Sequence, residues 1–152
     1  MIKLRLARIS DCKFWWEVRN EKSVREASFD SKPIPYSIHK KWFEEKLKSK
    51  SSKLFIIFSD NKKIGQLRLG ENNSKVEISL ALSPAARGKG FGTEAIKLGA
   101  KYAIRKTKIN KIVTYTKPEN LASIAAFEKA GFKNKGKVNH KNQKAILLEF
   151  TG

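Results

Sequence analysis

The chain has 152 residues, 40% hydrophobic and 31% charged, a composition that fits one folded domain over residues 1–152 and excludes a disordered chain. Lys and Arg total 33 against 14 Asp and Glu, and the resulting charge of +19 favours polyanions: nucleic acid, ribosomes, or small ligands carrying several phosphates. No apolar run reaches the roughly 20 residues of a membrane span, no signal peptide precedes the first strand, and the lone Cys12 excludes an internal disulfide, so a cytoplasmic protein is expected.

Ile2, Leu4 and Leu6 alternate with Lys3 and Arg5, the period of a strand with one polar face. Ser10-Asp11 is read as the cap of a helix running through Phe14, Trp15 and Val18 to about Asn20. A polar junction from Arg19 to Arg25 then leads to a short segment ending at Phe29 and to the Pro33/Pro35 loop. Ser37 is placed as the cap of a second helix whose apolar stripe is Ile38, Trp42, Phe43 and Leu47, with His39 at its border. Three strands follow, Leu54 to Ser59, Lys63 to Leu69 and Val76 to Leu82, separated by turn-forming residues.

The joint after the third of these strands is Ser83-Pro84-Ala85-Ala86-Arg87-Gly88-Lys89-Gly90-Phe91-Gly92. Pro84 stops the ladder, the glycines let backbone approach a ligand, and the N–H groups of the next helix point into the turn. With Arg87 and Lys89 beside them, this is an anion cradle. Neither the nucleotide-triphosphate loop spacing nor the dinucleotide G-x-G-x-x-G spacing is present. The helix is expected to run to about Thr107 with Phe91, Ala95, Leu98, Tyr102 and Ala103 inside. A strand from Lys111 to Thr116, a helix capped by Asn120 and stopped by Gly131, and strands from Phe132 to Val138 and Lys144 to Phe150 complete the chain. This order gives an α+β sheet, antiparallel at first and parallel around the cradle.

Arg87-x-x-Gly90-x-Gly92 after an alternating strand resembles the pyrophosphate loop of the GCN5-related N-acetyltransferases (GNAT). Asn120 through Phe132 is similar to the family's N-x-x-[SA]-x-x-x-[YF]-E-K-x-G-F segment. The resemblance implies a GNAT fold, a mixed six- to seven-stranded sheet flanked by about four helices, with acetyl-CoA as co-substrate and no metal. It also implies that the backbone of Leu80 and Leu82 holds the pantetheine arm, that the Leu80 N–H polarises the thioester carbonyl, and that Arg87, Gly88, Lys89, Gly90, Phe91, Gly92 and Thr93 take the pyrophosphate. Asn120 would bond the pantetheine arm. Helical spacing sets Asn120, Ser123 and Phe127 on one stripe, toward the cofactor, and Leu121, Ile124, Ala125 and Glu128 on another, toward the sheet.

Many relatives carry Tyr at the position of Phe127, and that tyrosine protonates the leaving thiolate. Phe has no proton to give, so Ser123 and Tyr115 are the substitutes, or the thiolate leaves unaided. For the base, Glu77 acting through water is preferred, with Ser79 on the same strand face and His39 as another proton acceptor. The segments around Trp15 to Asn20, Ala27 to Phe29, His39 to Phe43 and Ile64 to Leu69 resemble a subgroup acetylating the 4-amino group of nucleotide-linked sugars, precursors of pseudaminic and legionaminic acids. That resemblance implies that Arg19 and His39 contact the nucleotide, and Gln66 and Arg68 share a strand face beside them. The expected partner is a small-molecule amine, a nucleotide sugar, without membrane or nucleic acid; a homodimer is left open. Two alternatives stay open: an α-amine acetyltransferase of a ribosomal protein, and a coenzyme A- or RNA-binding module that has lost catalysis.

Overall fold

In the computed structural model, which describes residues 1–152, the apolar alternation of the first half becomes an antiparallel meander. Its strands are β1 (Ile2–Leu6), β2 (Ser52–Ser59), β3 (Lys62–Asn72) and β4 (Lys75–Leu82). Between β1 and β2 come a 3₁₀ turn (Ile9–Asp11), α1 (Cys12–Asn20), α2 (Lys22–Ala27) and α3 (Tyr36–Lys48). After β4 follow a 3₁₀ turn (Pro84–Ala86), α4 (Phe91–Thr107), β5 (Lys111–Thr116), α5 (Leu121–Lys129), β6 (Lys133–His140) and β7 (Gln143–Thr151). All strands join one seven-stranded sheet in the order β1-β2-β3-β4-β5-β7-β6, and only β4 and β5 run parallel. No helix is long and apolar enough to cross a membrane.

The sheet separates two apolar layers. On one face Leu67, Leu69, Val76 and Ile78 pack under Ala95, Ile96, Ala100 and Ala103 of α4. The helix lies close to the strands: a Cβ on Gly99 would stand 3.0 Å from Cδ1 atoms of both Ile78 and Leu67. On the other face Leu54 and Ile56 form a smaller cluster with Cys12, Trp15 and Phe43 of α1 and α3. Each buried Leu, Ile, Val and Phe side chain here contributes about 1.5–3 kcal/mol, so both layers hold α1 and α4 firmly against the strands between them.

Several local expectations change. Leu98 is 38% exposed, and Ile96 and Gly99 take the inner positions, because the buried stripe of α4 is centred on its small residues and lets the helix approach the sheet. Leu121, Ala125 and Glu128 face solvent. Phe127, at 1% exposure, turns inward against Phe132, and the stripe opposite it must then point out. Ile124 alone of that set packs on the core. Asp11 does not cap α1: its carboxylate instead accepts the Arg8 N–H at 2.8 Å and closes the 3₁₀ turn. α3 begins at Tyr36 with Pro35 before it, so Ser37 lies inside the first turn. The polar junction contains an additional helix, α2, capped by the Glu21 carboxylate on the Val24 N–H.

Candidate active site

β4 and β5 pair only at Val76–Ile112 and Glu77–Val113, then diverge. Ser83 donates its N–H across β3 to the Ile64 carbonyl at 2.8 Å. Two-residue alternation therefore turns the peptide groups of Ala81 and Ser79 toward β3, and those of Leu80 and Leu82 toward the diverging side, where no strand meets them. This wedge opens into a cleft of about 860 Å³ lined by the ends of β3, β4 and β5, the cradle, α5, the segment from Arg19 to Ile34, and the β6–β7 hairpin.

At the cradle, Gly88 (φ +77) and Gly90 (φ +80) occupy left-handed backbone with nothing within 4 Å of a notional Cβ. Gly90 is the residue from which the 17-residue α4 springs, so the unpaired N–H groups of that helix, with the partial positive charge of its N-terminus, face open space. This shape and charge suit a pyrophosphate, and the bare backbone of Leu80 suits an extended amide arm. Arg87 lines the cleft with its guanidinium already engaged: it donates to the Leu82 carbonyl (3.0 and 3.3 Å) and to Ser23 Oγ (2.6 Å), and lies 3.4 Å from the Glu21 carboxylate. Gly88, Gly90, Gly92 and Thr93 line the cleft. Lys89 is exposed outside the lining, and the Phe91 ring turns back onto the core, leaving its backbone at the cradle.

The opposite wall is α5. Asn120 caps it, its Oδ1 accepting the Ser123 N–H at 3.2 Å, so its amide Nδ2 remains available. Ser123 and Phe127 border the cleft with it. Tyr115 also lines the cleft, and its hydroxyl oxygen accepts from Lys75 Nζ at 3.2 Å.

Glu77, Ser79, Gln66 and Arg68 share the sheet face that forms the cleft floor, as the β3–β4 register requires. Arg19 and Arg68 both lie over the Trp42 ring, at 5.0 and 5.6 Å from its centroid. Burial, followed by the charge of Arg68, lowers the Arg19 pKa, and Asp30 partly opposes this. Arg68 Nε, Gln66 Oε1 and Thr116 Oγ1 are buried with no hydrogen-bond partner, and all three residues line the cleft.

His39, expected at the nucleotide, does not reach the cleft. It is 1% exposed, its Nε2 donates to the Cys12 carbonyl at 3.1 Å, and its ring packs on Trp42 and Phe43 at 5.7 Å. Burial lowers its pKa, and the ring holds α3 to α1 from outside the cleft lining. Its place at the edge of the α3 stripe did not reveal this, because α1 closes over that edge only in the folded chain. Conversely, Phe29, the end of the Ala27 to Phe29 segment that carries part of the subgroup resemblance, lines the cleft, and so does His140, which no expected strand reached. The one available signal was the alternation of Val138 and His140, which puts both on one face of β6.

An acetyltransferase (GNAT) domain model matches residues 2–133. The chain is 25% identical over 142 residues to spermidine N(1)-acetyltransferase of Escherichia coli (strain K12), covering 91% of this chain and 76% of that one. Among solved structures, aminoglycoside acetyltransferase AAC(6')-Ib in complex with coenzyme A superposes with a TM-score of 0.88 at 21% identity, covering 99% and 95% of the two chains. Spermidine N-acetyltransferase from Vibrio cholerae, solved with CoA and spermine, superposes with a TM-score of 0.87 at 19% identity, with the same coverage. A strand pair that splays beside an anion cradle, matched along most of the chain by this domain, means that the protein belongs to the GNAT family and is an acetyl-CoA-dependent N-acetyltransferase.

Proposed function

We propose that the enzyme acetylates the amino group of a small anionic acceptor, a nucleotide-linked amino sugar. The observation that carries this reading is the pair of guanidiniums stacked on Trp42, with Arg68 Nε buried and unpartnered. Two like charges held together in a half-buried chamber repel each other until an anion joins them, and a guanidinium fork suits a phosphate. Of the charged groups lining the cleft, only Asp30 and Glu77 are acidic, against seven Lys and Arg. A polycation such as spermidine meets repulsion there, whereas a nucleoside diphosphate is attracted.

Bound acetyl-CoA supplies an activated acetyl thioester. In this reading the Leu80 N–H donates to the thioester oxygen, where charge develops, and the Leu82 backbone takes the pantetheine arm once Arg87 leaves its carbonyl. Arg87, Gly88, Lys89, Gly90, Phe91 through its N–H, Gly92 and Thr93 hold the pyrophosphate. Asn120 donates its free amide to the arm, and Phe127 walls it. Glu77 attracts the acceptor ammonium, Gln66 orients the sugar, and the Ser123 hydroxyl relays to the departing thiolate the proton that the acylated nitrogen sheds.

The test mixes protein and acetyl-CoA with a UDP-linked 4-amino sugar, with spermidine, with kanamycin, or with a peptide bearing a free α-amine, and follows thiol release. The sugar should turn over, and Arg19→Ala and Arg68→Ala should each raise its KM about tenfold with kcat little changed. Turnover of spermidine, kanamycin or the peptide without turnover of the sugar overturns the substrate assignment.

A further inference from the structure

We propose that His140 is the catalytic base: its imidazole takes the proton that the acceptor ammonium must lose before attack. This rests on amine acetylation in this cleft but not on which amine is acetylated. The ring is held from two sides. It stacks face to face on Tyr115 of β5, with centroids 4.0 Å apart and planes within 5°, and Phe29 meets it edge-on at 5.0 Å. Phe29 is itself pinned to the β6–β7 hairpin, because Gln143 Nε2 donates to its carbonyl at 2.6 Å. A second tie, from Lys117 Nζ to the Glu26 carbonyl at 2.7 Å, holds α2 against the loop that precedes α5.

The two histidines of the chain are thus treated differently. The Nε2 of His39 is consumed by a backbone carbonyl, whereas the ring of His140 makes no hydrogen bond to the protein and lies in the cleft lining with Glu77. An imidazole fixed in orientation with both nitrogens unengaged is arranged for proton transfer rather than for structure. Ionisable and charged groups around it are Glu77 and Lys75 on β4, Tyr115 on β5, Lys141 at the hairpin tip, and Asp30 and Lys32 on the loop after Phe29. Burial lowers the His140 pKa, Glu77 opposes that, and Lys141 and Lys75 reinforce it, a balance that favours the neutral ring with a lone pair open to a proton.

One N–H bond of the ammonium breaks and its proton passes to the free ring nitrogen of His140, which later returns it to solvent. The freed lone pair forms the N–C bond to the acetyl carbonyl as the C–S bond breaks, and the surplus proton on nitrogen ends on the thiolate. Glu77, two residues along β4 from Ser79, holds the ammonium by charge while His140 removes its proton.

The experiment measures kcat/KM against pH for the wild type, His140→Gln and His140→Ala, with coenzyme A binding as the check that each variant is folded. His140→Gln should lose about 100-fold in kcat/KM at neutral pH and lose the acid limb of the profile. Added imidazole should restore part of the rate to His140→Ala. Activity within about twofold of wild type overturns the proposal, and so does a rate loss that keeps the acid limb, since that pattern belongs to a structural role. A separate arm needs no turnover: with two histidines in the chain, the ring-proton NMR signals are assignable by substitution. The His140 signal should titrate below the ordinary 6.5. A His140 signal that does not titrate at all between about pH 4 and 8 shows a ring that cannot take up a proton and overturns the proposal, whichever amine is the acceptor.

Discussion

Replacing Asp11 with Asn removes the one carboxylate shared by three elements. Asp11 is 1% exposed, and it accepts from Arg5 of β1 at 3.0 and 3.1 Å, from Lys63 of β3 at 2.7 Å and from the Arg8 N–H at 2.8 Å. Burial alone would raise its pKa, but these donors outweigh burial and hold it at about 2, against an ordinary 3.8. The gap between 3.8 and about 2 corresponds to about 2.5 kcal/mol of stability at neutral pH. Because the folded pKa is the lower one, the unfolded chain takes up the proton first as pH falls. The contribution is therefore complete above 3.8 and disappears between there and about 2. Asn also leaves Arg5 and Lys63 without a counter-charge, yet their side chains are 23% and 37% exposed and water relieves part of that cost. The expected loss at pH 7 is about 2–3 kcal/mol, below the range for a fully buried pair. Urea unfolding of wild type and Asp11→Asn, repeated from pH 7 down to about pH 2, should show the two stabilities converging in acid. A difference that stays constant with pH would refute the ionic account, and a difference near zero at pH 7 would refute the anchoring role itself.

His39→Gln should destabilise the fold while leaving the acceptor KM within about twofold of wild type, because the ring joins α3 to the Cys12 carbonyl outside the cleft. Its lowered pKa means that the unfolded chain binds a proton that the folded ring resists, so wild-type stability should fall as pH drops below 6.5, and the variant should lose that slope. Glu21→Gln removes the carboxylate that holds Arg87 away from the cradle, and calorimetry should show coenzyme A binding tightened about two- to fivefold. Weaker binding in that variant would mean that the Glu21 contact positions Arg87 for the pyrophosphate rather than competing with it.

Much of the donor side was legible in the sequence because its information is local. An alternating strand from Val76 to Leu82, a proline that ends it, glycines that can take positive φ and a helix that starts at once define the cradle without reference to any distant residue. The Asn120 cap and the Gly131 stop were legible for the same reason: a cap satisfies N–H groups within its own turn. Sequence therefore determined the fold class, the order of the strands along the chain and the reaction family. Only the tertiary structure decided what lies opposite the cradle. Arg19 and Arg68 are 49 positions apart in sequence and meet on Trp42 because α1 and α3 share one layer above β3. The same layer closes over His39 and removes it from the cleft, while the β6–β7 hairpin brings His140 onto Tyr115 and Phe29. Helical periodicity gives the face a residue occupies but not which neighbour covers that face, and burial, charge repulsion and proton affinity all depend on the neighbour.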